Sequence, residues 1–113
     1  MKKLLFMLFF FTLVFTSCEE DTSGIVEYKV TSNKSGFDIT YQNAVGNTEQ
    51  KDIQSSSWNI SFSGEQGDFV YISAQTNNTN ATITAEIYYN GKLIENSTSN
   101  GSYVIATASG SLP

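Results

Sequence analysis

The stretch ATITAEIYYNGKLI, residues 81–94, carries the clearest indication of fold class in this chain. Its first half alternates apolar and polar side chains from Ala81 to Ile87, a period of two that is typical of a strand with one buried face. Asn90-Gly91 interrupts the alternation, and this pair favours a type I′ turn because both residues tolerate positive φ. The stretch therefore predicts two antiparallel strands joined by a tight hairpin.

The same alternation extends on both sides of this hairpin. From residue 25 onward the period is two, punctuated by Gly, Asn and Ser, with no dozen residues at helical spacing. The segments 26–31 and 37–42 are two antiparallel strand candidates, and the charged segment 48–54 is a candidate edge strand. Further candidates follow, in chain order, at residues 58–62, 69–76, 81–89, 92–94 and 103–109, with a loop expected at 96–102. Seven or eight such strands predict an all-β, immunoglobulin-like β-sandwich, a single domain spanning residues 25–113.

Composition excludes several classes of function. The 113-residue chain has one cysteine and no histidine, and its six basic residues are all lysines. The usual general base and the commonest zinc ligand are therefore missing, and no basic cluster exists to bind nucleic acid. Glu65 and Asp68 share a loop, but calcium needs six to eight oxygen ligands. The sequence predicts a protein that is not an enzyme, with no metal, cofactor or nucleic-acid partner.

The N-terminus has the pattern of a bacterial lipoprotein signal. Two lysines precede an almost unbroken apolar run at residues 4–15, which is too short to cross a ~30 Å hydrocarbon core. The sequence LVFTSC that ends at Cys18 resembles a lipobox, with Phe15 where leucine is usual. We expect residues 1–17 to be the signal peptide and Cys18 to be acylated, so that acyl chains anchor the chain to a membrane. A free thiol after a conventional signal peptide is the alternative.

The residues after the cysteine form an acidic tether. Residues 18–24 combine the lipidated cysteine with Glu19, Glu20 and Asp21, and they suit a solvated spacer. An acidic run in this position also resembles the surface-export signal of Bacteroidetes lipoproteins. With four lysines against eleven acidic residues, the mature chain carries a net charge of −7. The predicted location is the bacterial cell envelope, anchored to the outer membrane on its periplasmic face or at the cell surface.

Several stretches of the mature chain share order and spacing with one protein family. They are VEYKVT (26–31), DITYQN (38–43) with GNTEQ (46–50), Trp58, AQT (74–76) and the segment 83–92. In this order they resemble the soluble domain of the mycobacterial membrane protein small (MmpS) family, whose members accompany exporters of lipids and siderophores. The resemblance implies an accessory role beside an exporter and brings no catalytic residues with it.

The chain departs from this family in three places. A lipoprotein signal stands where the family has a transmembrane helix. Positions that look like the family's disulfide fall near Ala85 and near Ala106 or Ala108, so packing alone would close this sandwich. Ser57 stands where the family tends to place proline before the tryptophan, so the entry to that strand is expected to differ.

Strand parity separates core residues from candidate surface residues. Trp58, Ile60 and Phe62 alternate on one strand and are expected in the core. On two of the predicted strands, alternation places Val70, Ile87 and the apolar residues in phase with them on the inward side. Three aromatic side chains then point outward and form a candidate partner-binding surface: Phe69, Tyr71 and Tyr88. Two alternatives stay open, namely that loops or the tether cover these rings, or that the two faces are inverted.

These features predict a lipid-anchored binding or accessory module of the cell envelope that acts by contact, in association with an export system. Its partners would be the membrane, through the acyl chains, and an envelope protein such as a transporter or a surface assembly. The alternative is a structural domain of a surface coat or adhesin-like assembly.

Overall fold

The computed structural model describes residues 23–113, which form an all-β sandwich of eight strands. The predicted signal peptide, Cys18 and the acidic residues of the predicted tether lie outside the described residues. The strands are β1 (Ser23–Ser32), β2 (Phe37–Gln42), β3 (Thr48–Ile53), β4 (Ser57–Glu65), β5 (Phe69–Thr76), β6 (Ala81–Tyr89), β7 (Lys92–Gly101) and β8 (Ile105–Ser111). Within residues 23–113 no helix has the length and apolar character needed to cross a bilayer.

Two four-stranded antiparallel sheets make the sandwich. The first sheet has the order β4-β1-β6-β7 and the second has the order β3-β2-β5-β8. Among the described strands only β2–β3 and β6–β7 are neighbours both in sequence and in a sheet, so every other connection crosses between the sheets. The predicted fold class is confirmed, and β3 is an edge strand as expected.

The structure corrects three local expectations. β1 and β2 do not pair with each other, because residues 33–36 carry the chain from one sheet to the other. β1 begins at Ser23, so Ser23 and Gly24 belong to this strand and not to the tether. β7 continues to Gly101 through the segment expected to be a loop. That segment is an edge strand whose polar residues pair with β6, as when the Oγ1 atoms of Thr84 and Thr98 come within 2.9 Å.

The core lies between the inner faces of the two sheets. Val26, Tyr28 and Val30 of β1 are fully buried, as are Ile72 and Ala74 of β5 and their counterparts on β6. The alternation predicted for β5 and β6 is therefore confirmed. Trp58, Ile60 and Phe62 of β4 are half-buried and pack against this core, where the Trp58 and Tyr41 rings lie 5.2 Å apart. Ala85, Ala106 and Ala108 are buried on facing sheets, as a sandwich closed by packing requires.

One buried tyrosine ties the two sheets together. The Tyr28 hydroxyl, from the first sheet, donates to the backbone oxygen of Gln42 at 2.7 Å and accepts the backbone N–H of Tyr71 at 3.2 Å. Both partners belong to the second sheet, just beyond the last β2–β5 pair, Tyr41 with Ile72. The hydroxyl thus satisfies two backbone groups where the ladder ends, and burial raises the pKa of Tyr28.

The strand directions give the sandwich two distinct ends. We call the end that holds the start of β1 the proximal end; it also holds the loops at 43–47 and 66–68, the hairpin at 90–91 and the end of β8. The opposite, distal end holds four loops, at residues 33–36, 54–56, 77–80 and 102–104. A ten-residue strand such as β1 separates the two ends by about 30 Å.

Candidate contact surfaces

The three predicted surface aromatics do point outward, but the structure does not bring them together. Phe69 and Tyr71 lie on the outer face of the second sheet, flanking the buried Val70. Tyr88 lies on the outer face of the first sheet, next to the buried Ile87. Because the sheets pack through their inner faces, these outer faces look in opposite directions. The aromatic surface expected as one patch is therefore divided between two faces.

Tyr88 sits in a polar and partly acidic setting on the first sheet. Its hydroxyl donates to the carboxylate of Glu86 at 3.1 Å, and this hydrogen bond raises the pKa of Tyr88. Glu27 is its cross-strand partner on β1, and Leu93 is its partner on β7 beyond a bulge. The ring therefore lies close to the exposed Leu93 side chain while its hydroxyl is held by a charged group.

Exposed apolar side chains are concentrated at the proximal end. Among residues 23–113 six large apolar side chains are exposed, and four of them lie here: Ile25 (53%), Val45 (79%), Phe69 (51%) and Leu93 (41%). Ile25 and Leu93 belong to the first sheet, whereas Val45 and Phe69 line a depression of about 350 Å³ that residues of both sheets border. We call these four residues the proximal collar. Sequence reasoning named only Phe69 among them.

The turns next to the collar are held by side-chain hydrogen bonds. The Asn43 side-chain oxygen accepts the backbone N–H groups of Val45 and Asn47 at 3.1 and 2.9 Å. Asn90 and Gly91 have φ values of 52° and 80°, so the predicted type I′ hairpin is confirmed. The Asn90 side-chain oxygen also accepts the N–H of Ile25 at 2.9 Å. Val45 is thus held in an ordered loop, whereas Ile25 and Leu93 lie on strands beside an ordered turn.

The distal end is polar and is held together by asparagine side chains. The Asn78 amide donates to the backbone oxygens of Ser35 and Gly36 at 2.8 and 3.3 Å. The Asn33 side-chain oxygen accepts the N–H of Thr82 at 2.9 Å, which ties the same 33–36 loop to β6. Lys34 donates to the backbone oxygen of Thr79 at 2.6 Å. These bonds join loops from both sheets into one surface.

Tyr103 is the most prominent side chain of this distal surface. It is 58% exposed and has a φ of 57°, a left-handed conformation that is uncommon for a bulky residue. Its N–H donates to the backbone oxygen of Asn78 at 3.0 Å, and its own oxygen accepts the Gln75 amide at 3.3 Å. Strained residues that persist in this way cluster at functional sites. Sequence reasoning placed Tyr103 at the start of a strand; the Gly-Ser-Tyr context was the available signal.

The two ends of the sandwich offer different chemical groups. In the described part of the chain, no group of three or more His, Cys, Asp or Glu side chains is placed to hold a metal ion. The proximal collar offers apolar contact area. The distal surface offers hydroxyl and amide groups around an aromatic ring.

Comparison with known proteins identifies no relative: no protein-family model matches the chain, and no curated protein matches it significantly. The resemblance to the MmpS family therefore stays a prediction from sequence.

Proposed function

We propose that this chain is a lipid-anchored module of the bacterial cell envelope that binds a partner by contact and catalyses no reaction. The anchor is Cys18, acylated after removal of residues 1–17. Because β1 begins at Ser23, five residues after the cysteine, the spacer reaches at most about 17 Å even when fully extended. Acylation at Cys18 would therefore keep the proximal end near the bilayer and hold the distal end about 30 Å further out.

The partner-binding surface in this proposal is the distal end, with Tyr103 at its centre. The observation that carries the proposal is that Tyr103 is held exposed, at positive φ, by bonds from Asn78 and Gln75 on the end opposite the tether. Tyrosine supplies rigid contact area at low entropic cost, and Asn, Ser and Gly supply adaptable hydrogen bonds, as in antibody loops. Ile105, which is 51% exposed, adds apolar area beside it.

The expected class of partner is an envelope protein. The resemblance to the MmpS family favours a subunit of an export system, and an outward-facing end also suits a component of a surface assembly. Phe69, Tyr71 and Tyr88 keep a proposed contact role, but they lie on two outer faces and closer to the membrane than Tyr103.

Two measurements test this proposal. Cells fed an alkyne fatty acid should label the wild-type chain and not Cys18→Ala. A photo-crosslinking amino acid at Tyr103, in intact cells, should give a discrete adduct with an envelope protein that disappears in the Ile105→Ser background. The same amino acid at Asn59, an exposed position on β4, an edge strand of the first sheet, is the matched control. Equal labelling of wild type and Cys18→Ala, or identical adducts from positions 103 and 59, would contradict the proposal.

A further inference from the structure

We propose that the proximal collar seats the domain on the surface of the bilayer, with Ile25, Val45, Phe69 and Leu93 in contact with lipid. This inference rests on the proposed anchor at Cys18. A singly exposed apolar side chain is ordinary on a protein surface. Four of the six exposed large apolar side chains among residues 23–113 lie at one end of the sandwich. The proposed spacer ties this same end to the acyl chains, and isolated exposure does not explain this pattern.

The collar surrounds the end of the sandwich and does not lie on one face. Ile25 and Leu93 flank the 90–91 hairpin on the first sheet, and Val45 and Phe69 border the depression that lies between the two sheets. An end-on contact with a flat surface would bury all four side chains together. A protein partner on either outer face would cover only two of them, so the arrangement favours a planar occupant.

Tyr71 and Tyr88 fit the same orientation. Tyr71 lies two residues beyond Phe69 on the outer face of β5, about 7 Å further from the proximal end. Tyr88 lies opposite Leu93 on the other outer face. A half-buried tyrosine with an apolar ring and a polar hydroxyl suits the headgroup region, where tyrosines are enriched in membrane proteins. The two outward tyrosines would therefore mark the level of the headgroups on both faces.

Charge defines the kind of lipid surface. The loop beside the collar carries the carboxylates of Glu65 and Asp68, and Lys92 at the hairpin is the nearby cation. The mature chain has a net charge of −7, so an anionic membrane would repel it. The occupant is therefore a zwitterionic or uncharged lipid surface, held by apolar contact. Insertion of the four collar side chains gives only weak membrane binding by itself. The acyl tether raises the effective concentration of these side chains at the membrane surface.

Fluorescence quenching in proteoliposomes tests this orientation. The full-length acylated protein, purified from membranes and reconstituted in phosphatidylcholine vesicles, is labelled with an environment-sensitive dye at Val45→Cys, because acylation takes up the Cys18 thiol. The matched control carries the dye at Tyr103→Cys. We expect blue-shifted emission and quenching by brominated lipid at Val45→Cys, and water-like, unquenched emission at Tyr103→Cys. Replacing part of the phosphatidylcholine with anionic phosphatidylglycerol should reduce the quenching.

A pair of double variants shows whether the collar itself causes the contact. Phe69→Ser with Leu93→Ser should lose the quenching at Val45→Cys, whereas Tyr103→Ser with Ile105→Ser, which removes two equally exposed apolar residues at the other end, should retain it. Unchanged thermal melting of both double variants shows that the fold is intact.

The alternative outcomes are distinguishable. Water-like emission at Val45→Cys in an acylated protein would overturn the proposed contact between the collar and the bilayer, but not the proposed anchor at Cys18. Absence of acylation would instead overturn the proposed function. A blue shift at Val45→Cys without quenching by brominated lipid would mean that the collar contacts a second copy of the chain. Quenching at both Val45→Cys and Tyr103→Cys would mean that the domain lies flat on the bilayer. Either result would overturn the inference.

Discussion

The two ends of the sandwich are built from loops between the same eight strands, yet they expose different side chains. At the distal end, the side chains of Asn33 and Asn78 bond backbone groups of β6 and of the 33–36 loop. At the proximal end, the side-chain oxygens of Asn43 and Asn90 bond backbone groups in the same way. Bonds of the same kind therefore hold both ends. The contrast lies in the exposed side chains, since four of the six exposed large apolar residues among residues 23–113 lie at the proximal end.

Removal of the Tyr28 hydroxyl is expected to have the largest effect on the stability of the sandwich. Tyr28→Phe removes the partner of two backbone groups, Gln42 oxygen and Tyr71 N–H, and should lower the free energy of unfolding by about 3 kcal/mol. Urea unfolding monitored by circular dichroism measures this loss. Tyr88→Phe, which removes a hydroxyl bound only at the surface, is the control and should be close to neutral. Equal effects of the two substitutions would show that the buried tie is not needed.

The same tyrosine predicts a pH dependence. Burial raises the pKa of Tyr28 above its ordinary value of 10.0, so the unfolded chain releases this proton more readily than the folded one. The stability contributed by the neutral hydroxyl should be fully present below about pH 10 and should be lost as the pH rises towards the raised pKa. Melts between pH 8 and 11 would show a steeper alkaline loss in wild type than in Tyr28→Phe. Parallel pH profiles would contradict this assignment.

The proximal hairpin depends on its backbone conformation. Gly91→Val puts a β-branched residue at a φ of 80°, and we expect a loss of more than about 1 kcal/mol. The control is Lys92→Val, because the same side chain at the first residue of β7 has ordinary strand geometry. Coinciding urea curves for wild type and Gly91→Val would mean that the turn tolerates the substitution.

The distal end depends on one amide. Asn78→Ala should lower the free energy of unfolding by about 1 kcal/mol, because the Ser35 oxygen loses its side-chain donor and the Gly36 oxygen loses one of two donors. It should also speed hydrogen exchange in the distal loops while leaving the proximal loops unchanged. The exposed neighbour Asn77 holds Gly36 through its backbone N–H, which Asn77→Ala retains, so this control should be nearly silent. Faster exchange at both ends would show that the ends are not independent.

The smallest effect is expected on the two outer faces. Tyr71→Ser combined with Tyr88→Ser removes half-buried rings that lie outside the core, and the loss should stay below about 1 kcal/mol, a few degrees in melting temperature. Differential scanning calorimetry measures it. Outright unfolding of this double variant would show that the outward tyrosines support the sandwich after all.

Local patterns predicted most of the strands. The alternation in β5 and β6 and the Asn90-Gly91 turn depend on residues that are neighbours in sequence. They can therefore be predicted from the sequence. The membership of each strand in a sheet depends on pairing between distant residues. This is why Phe69 and Tyr71 were expected to share a face with Tyr88 and do not.

Two further features had no strong local signal. The polar second half of β7 lacks apolar alternation, because an edge strand can be held by its ladder to β6 without burying a full row of side chains. The exposed Tyr103 owes its conformation to Asn78, which lies 25 residues earlier and comes close only in the folded chain. The proximal collar likewise emerges only when four separate segments meet at one end of the sandwich.

The start of β1 and the end of β8 lie close together at the proximal end, and this bears on how the domain can be engineered. Gly64 pairs with Gly24 near the start of β1, and its Cα lies so close to Leu112 that an added Cβ would sit 2.8 Å from that side chain. In the proposed orientation, a reporter fused after residue 113 would lie between the domain and the bilayer. A short linker from residue 113 to Ser23 would instead join the two ends of the described domain and give a circular permutant with new termini elsewhere in the sandwich.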